Sequence, residues 1–340
     1  MSAASALITR QSRLLDLLRN ALGGAIGQLL DDDTVEEVRV NPDGRLWYAQ
    51  AGRRHSNTEL LSVPARIRVI NIVADHVGEI ANAGNPSFAA ELPESGYRFH
   101  AVLPPQSPDG PTFVIRKITA LKLTLDDYVA NGQMTQGQRL VLVKAIRDKD
   151  NILVVGGTNT GKTTFANALL RELGRVTGRV ITIEDTLELQ VEADEVVRLR
   201  TVRSGETITR SMAQLIRDTL RMTPDRLIVG EVRGPEVNDM LDAWNTGHPG
   251  GIATIHANSA ADALGRIEDM LVQGGLTPVP RKIARTIQLV VSIGFATVET
   301  GGERRAVRRL REVLRVTGVH STDTGHEYQL ADAVCQTAYC

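Results

Sequence analysis

The sequence predicts an α/β chain built on a mostly parallel, doubly wound sheet, preceded by a smaller α+β domain. Three observations predict it. Short apolar runs at Ile152–Val155, 179–183, 226–229 and 251–256 alternate with helical patterns, among them 211–220 and a helix with Ser259 as its N-cap. The first of these runs opens into a glycine-rich turn, and ligands in such folds gather at the carboxyl ends of the strands. A length of 340 residues leaves room for a second module and an ample core.

The N-terminal third supplies that module. Leu14, Leu18, Leu22, Ile26 and Leu29 recur at helical spacing, with Arg10, Arg13 and Arg19 largely on other faces. This stripe reads as a packing face against the rest of the domain, with a membrane-surface helix as the alternative. The extended run 35–40, the turn Asn41-Pro42-Asp43-Gly44 and the run Leu46-Trp47-Tyr48 make a hairpin, because proline presets the turn and glycine accepts positive φ. A second helix follows on Ile67, Ile70, Val73, Val77 and Ile80. The expected boundaries are an N-terminal domain over 1–120, a linker over 121–137 around Asn131-Gly132-Gln133, and an α/β domain with C-terminal strands over 138–340.

Composition narrows the function classes. A hydrophobic fraction of 42% and a charged fraction of 23% are those of a soluble globular chain. The net charge of −1 provides no overall positive field, so no direct nucleic-acid binding is expected. Only six of the thirty-nine basic residues are lysine, an excess of arginine that suits bidentate phosphate and interface contacts and also arises from codon bias. Cys335 and Cys340 offer neither a disulfide framework nor a metal knuckle, which points to a reducing, cytoplasmic setting. Arg13 and Asp16 interrupt the first leucine-rich segment, and the longest apolar run, 287–296, is too short to span a bilayer. Any membrane role is therefore expected to be peripheral.

The chemistry concentrates in four motifs. Gly156, Gly157, Thr158, Asn159, Thr160, Gly161, Lys162, Thr163 and Thr164 follow an apolar strand and fill the phosphate-loop pattern G-x-x-x-x-G-K-[ST]. Its glycines let backbone N–H groups curl around phosphate oxygens, Lys162 reaches the terminal phosphates, and the Thr163 hydroxyl can sit on Mg²⁺. ATP and Mg²⁺ are the expected ligands. The run 181–188 ends a strand in Glu184, Asp185 and Glu188, of which Glu184 is the candidate to position or deprotonate water. In Leu227-Ile228-Val229-Gly230-Glu231, the acid of a Walker B strand arrives one residue late, with Gly230 where many ATPases put aspartate. Glu231 is the candidate to hold Mg²⁺ through water. His256 ends the last parallel strand and is a candidate sensor of the γ-phosphate, although a lone histidine there is commonly structural.

Phosphate loop, acidic box, Gly-Glu Walker B and histidine box, in this order, resemble the secretion or traffic ATPase family. That resemblance implies a RecA-like domain, hexameric rings of two-domain subunits, and N-terminal arginines that reach a nucleotide held at the domain interface. The segments Gly96-Tyr97-Arg98-Phe99-His100 and 112–117 match the family pattern and nominate Arg98 and Arg116. Their contact with the γ-phosphate would stabilise charge in the transition state. Arg203, Arg210, Arg217 and Arg221 are further candidates for action across a subunit boundary. A four-cysteine insert is absent, as is the C-terminal helix that marks retraction motors. The short N-terminal domain with 38–47 is most similar to the conjugative-transfer branch of the family. The implied role is a homo-hexameric ATP hydrolase that works with other type IV secretion components at the cytoplasmic face of the inner membrane. A pilus or type II secretion motor, and a nucleic-acid translocase, remain the alternatives. The arginine-rich tail 304–316 reads as the solvated face of C-terminal strands, with anionic lipid or a partner as the other reading.

Overall fold

A computed structural model describes residues 3–50, 53–118, 122–174, 178–204, 207–300, 303–323 and 325–337. The chain divides into two units, Met1–Leu121 and Lys122–Cys340.

The first unit contains helix α1 (Ala3–Asp31), strands β1 (Val35–Val40), β2 (Arg45–Gln50) and β3 (Arg53–Leu60), helix α2 (Val63–Val77), and strands β4 (Ser87–Glu91), β5 (Arg98–Val102) and β6 (Thr112–Arg116). The strands form an antiparallel sheet in the order β3-β2-β1-β6-β5-β4. The expected hairpin is β1–β2, and Gly44 takes φ 86° at its exit. Leu18, Leu22 and Ile26 of α1 pack with Val69, Ile70 and Val73 of α2 over Val38, Phe99, Phe113 and Ile115. That burial favours a packing face for α1; the side chain of Leu14 lies outside the described residues. Ile80, expected as part of α2, is not helical and is exposed. The helix stops because Gly78 adopts a left-handed cap at φ 74°.

Buried Arg66 of α2 ties two loops together. Its Nη1 donates to the carbonyls of Asn41 (3.0 Å), Pro42 (2.6 Å) and Pro111 (2.7 Å). Lys117 is buried likewise, and its ammonium donates to Leu30 O and Asp32 O, satisfying carbonyls at the end of α1.

The second unit begins with helices α3 (Leu125–Ala130) and α4 (Gln136–Arg147), then strand β7 (Ile152–Val155), helix α5 (Lys162–Leu173), and strands β8 (Arg179–Glu184), β9 (Glu195–Arg200), β10 (Val202–Ser204) and β11 (Thr207–Arg210). It continues through helix α6 (Met212–Thr219), strand β12 (Arg226–Val232), helix α7 (Val237–Asn245), strand β13 (Ile252–Ile255), and helices α8 (Ala260–Gln273) and α9 (Pro280–Thr286). Strands β14 (Leu289–Thr300), β15 (Glu303–Thr322) and β16 (Gly325–Asp332) and helix α10 (Ala333–Thr337) complete it. The eight-stranded sheet has the order β16-β15-β14-β7-β13-β12-β8-β9. Strands β14 through β9 in that order are parallel, and β15 and β16 extend the sheet antiparallel.

The stretch 121–137, expected as a linker, carries α3. Its Leu125 and Tyr128 are buried in the core of the second unit, where Tyr128 meets the Phe165 ring edge-on at 5.3 Å. Polar turn residues suggested a linker, but Thr124 and Thr135 instead build capping boxes with Asp127 and Gln138.

Two cores sandwich the parallel sheet. Ile152 and Val154 of β7 face α4 and α5, whereas Leu153 and Val155 face α6, α7 and α8. Both faces being covered explains why β7 is continuously apolar and why β13 is buried along its whole length. The run 287–296 is largely β14, at the centre of the sheet. The tail is β15, which buries Leu310 and Val313 and exposes Arg309 and Arg311. Among the described residues no helix is long and apolar enough to cross a membrane.

Candidate functional site

Strands β7, β13, β12 and β8 are parallel neighbours, so their carboxyl ends emerge together along one edge of the sheet. Each end carries one of the four sequence motifs.

The loop after β7 is shaped by close approach. A Cβ on Gly156 would lie 2.4 Å from the Ile293 carbonyl oxygen and 2.6 Å from Thr160 Oγ1, so only glycine fits. Thr160 Oγ1 donates to Gly157 O at 2.9 Å, and Gly161 turns at φ 95° to start α5. The first N–H groups of α5, at Lys162, Thr163 and Thr164, lack partners within the helix and converge on the loop. Lys162 is buried, and its ammonium donates to the carbonyls of Gly156 (3.1 Å) and Gly157 (2.9 Å).

From Lys162 a polar chain crosses the strand ends. Its Nζ lies 3.3 Å from His256 Nδ1 and 3.4 Å from Nε2. His256 Nε2 is 2.9 Å from Glu231 Oε1. Glu231 Oε2 accepts from Arg233 Nε at 2.7 Å and also from Arg233 Nη2. The Arg233 guanidinium in turn lies 3.8 Å from the Asp185 carboxylate. Burial, together with the adjacent Lys162 charge, holds the His256 imidazole below its ordinary 6.5, against the pull of Glu231. A neutral ring suits both neighbours, since Nε2–H donates to Glu231 while Nδ1 accepts from Lys162.

The late acid of β12 has a structural cause. Val229 pairs with Ala253 and Val232 with Ile255, so β12 holds one more residue than β13 over this interval. This bulge lets Val229 and Val232, three apart, enter the same core and re-aims Glu231 toward His256. Gly230 is required because a Cβ there would meet Glu184 Cγ at 2.9 Å. The space that a side chain at 230 would take belongs to Glu184.

Glu184 ends β8 and is buried. Its Oε1 accepts from the N–H groups of Glu188 (2.8 Å) and Leu189 (2.9 Å), whereas Oε2 is buried with no hydrogen-bond partner. Burial pushes the carboxyl up to about 7, outweighing the two backbone donors. Asp185 is exposed and accepts from Thr201 Oγ1 at 2.9 Å.

Lys162, His256, Glu231 and Glu184 thus come together within the second unit. Arg98 and Arg116 belong to the first unit, where they are register partners on β5 and β6. Arg217 pairs with Asp239 at 2.8 Å, and Arg210 and Arg221 are exposed. The Arg203 side chain and Cys340 lie outside the described residues. Arg233 is the member that sequence reasoning passed over. It lies just past the end of β12, and its nearness in sequence to Glu231 was the available signal.

A parallel sheet with this phosphate loop and these strand ends defines a P-loop protein of the RecA-like class. The model of the type II/IV secretion system protein family matches residues 31–325, and the chain belongs to that family. It is similar to the probable conjugal transfer protein TrbB of Sinorhizobium fredii, with 39% identity over 307 residues that cover 89% of this chain and 90% of the relative. The conjugal transfer protein TrbB of Rhizobium radiobacter is 38% identical over 324 residues, 94% of this chain and 96% of the relative. Among solved structures, the ATPase DotB of Legionella pneumophila aligns with a TM-score of 0.59 at 21% identity over 84% of this chain and 78% of that chain. The pilus retraction motor PilT with bound ADP aligns with a TM-score of 0.60 at 19% identity over 87% of this chain and 82% of that chain. The last two are likenesses of fold.

Proposed function

We propose that this chain hydrolyses ATP as a ring-forming motor of a conjugative type IV secretion system, peripheral at the cytoplasmic face of the inner membrane. The observation that carries the reading is the chain Lys162–His256–Glu231–Arg233, which joins the phosphate loop to the acidic box. A triphosphate offers Lys162 stronger acceptors than the two loop carbonyls and the imidazole it now meets. Drawing Lys162 onto phosphate frees His256 and loosens its hold on Glu231, so nucleotide state is passed to the strand ends.

Glu184 is the proposed base. Its Oε2 is the carboxylate oxygen left for a water molecule, and a pKa near 7 suits proton transfer at neutral pH. Thr163 and Glu231 present hydroxyl and carboxylate oxygen, the hard donors Mg²⁺ takes alongside phosphate and water. Mg²⁺, when bound, supplies charge neutralisation on the phosphates. Arg98 and Arg116 are proposed to add positive charge to the transferring phosphoryl group. The hexameric ring and its secretion partners are proposed from the family and from the conjugal transfer names of the relatives.

ATP turnover and particle mass of the purified protein test the reading, with plasmid-transfer complementation in cells. Lys162→Ala and Glu231→Gln are expected to lower turnover by roughly 100-fold or more and to abolish transfer. Full transfer by a Lys162→Ala protein that has lost turnover would refute the motor.

A further inference from the structure

Four of the five phenylalanines are buried, at 7% exposure or less, whereas Phe295 is 38% exposed. Its position is set by the sheet. β14 runs parallel to β7 with Ser292 opposite Val155, and the Ile293 carbonyl abuts Gly156. Phe295 therefore lies within β14, three residues past the level at which β7 ends, beside the phosphate loop. It is two residues from Ile293, which packs in the core on the α5 side, so both side chains share that face.

The ring is tied to the loop through Arg308, its register partner on β15. The guanidinium lies 5.8 Å from the ring centroid, and Arg308 Nε donates to Asn159 O at 3.3 Å. The aliphatic stem of Arg308 passes Gly161 so closely that a Cβ there would sit 3.4 Å from Cδ. Gln133 holds this stretch of β15, donating to Arg308 O and accepting from Leu310 N. An exposed aromatic face is thus fixed beside the start of α5.

We propose that Phe295 is the platform on which the nucleobase stacks, an inference that rests on the reading of the loop as an ATP site. A base over the ring would cover apolar area that the fold leaves in water and gain aromatic stacking. Stacking reads the π-face and not the base edge, so Phe295 supplies affinity with little choice between adenine and guanine.

The test compares binding of ATP with that of inorganic tripolyphosphate, which carries the phosphates and no base, by titration calorimetry on the full chain. Phe295→Ala is expected to weaken ATP roughly 10-fold, with GTP falling in parallel, while tripolyphosphate stays within about 2-fold. Phe295→Leu, which keeps an apolar side chain against the sheet, shifts ATP in the same direction, and Phe295→Trp retains ATP affinity. Unchanged ATP affinity in both Phe295→Ala and Phe295→Leu overturns the proposal. Equal loss of both probes in Phe295→Leu overturns it as well. A wild-type chain that binds neither probe overturns the ATP-site reading together with it.

Discussion

Glu184→Gln probes the carboxylate that burial disfavours most among the described residues. The folded chain raises this group from 4.5 to about 7, because burial outweighs the two backbone N–H donors. A rise of that size corresponds to about 3 kcal/mol of differential free energy between the protonation states. The sign follows from proton linkage. Below about pH 4 the carboxyl is protonated in folded and unfolded chains alike, and the term vanishes. As pH rises toward 7 the unfolded chain releases its proton while the folded chain keeps it, so stability falls. Above about 7 the full cost of about 3 kcal/mol is present. Glutamine cannot ionise, so Glu184→Gln lacks this slope. Urea unfolding of both proteins from about pH 4 to about pH 8 isolates the effect, because the other titrating groups cancel in the difference. Stability of the variant relative to wild type is expected to improve by about 3 kcal/mol across that range. Turnover should move the other way: wild-type kcat rises through about pH 7 as the base ionises, and the variant loses both the rate and that limb. Parallel stability profiles for the two proteins would refute an elevated Glu184.

The remaining predictions concern packing that holds the site and its neighbour unit. Gly156→Ala forces a methyl group against the Ile293 carbonyl and Thr160; a loss of about 1–3 kcal/mol is expected, with weaker ATP binding, read by thermal melting and calorimetry. Arg66→Ala leaves three loop carbonyls without their shared donor. Urea unfolding should show a loss of about 3 kcal/mol, and a loss below about 1 kcal/mol would mean that water replaces the guanidinium without cost.

Much of the second unit was legible because its signals are local. A buried strand flanked by helices on both faces must be apolar throughout, so Ile152, Leu153, Val154 and Val155 announce a parallel strand without any partner in view. The phosphate loop is legible in the same way, since Gly156, Gly161 and Lys162 fall within a few residues of one another, although the Ile293 carbonyl that excludes a side chain at 156 comes from far along the chain. The stretch 121–137 misled for the same reason. Asn131-Gly132-Gln133 reads as a loop locally, and only the burial of Leu125 and Tyr128 against Phe165 shows that the segment is core. Ile80 continued the apolar spacing of α2, but Gly78 had already ended the helix.

The sequence by itself determined that strands, turns and one phosphate-binding loop exist, and in what order, because propensity, glycine placement and periodicity act over a few residues. Only the tertiary structure decided which side chains meet. The parallel order of β7, β13, β12 and β8 brings Lys162, His256, Glu231 and Glu184 to one edge from positions up to 94 residues apart. The Gly-Glu oddity of β12 is the clearest case. No local rule calls for glycine at 230, but the Glu184 side chain fills its space, and an extra residue in the strand turns Glu231 toward His256. Excluded volume between distant segments makes those choices, and it has no signature in any short window of sequence.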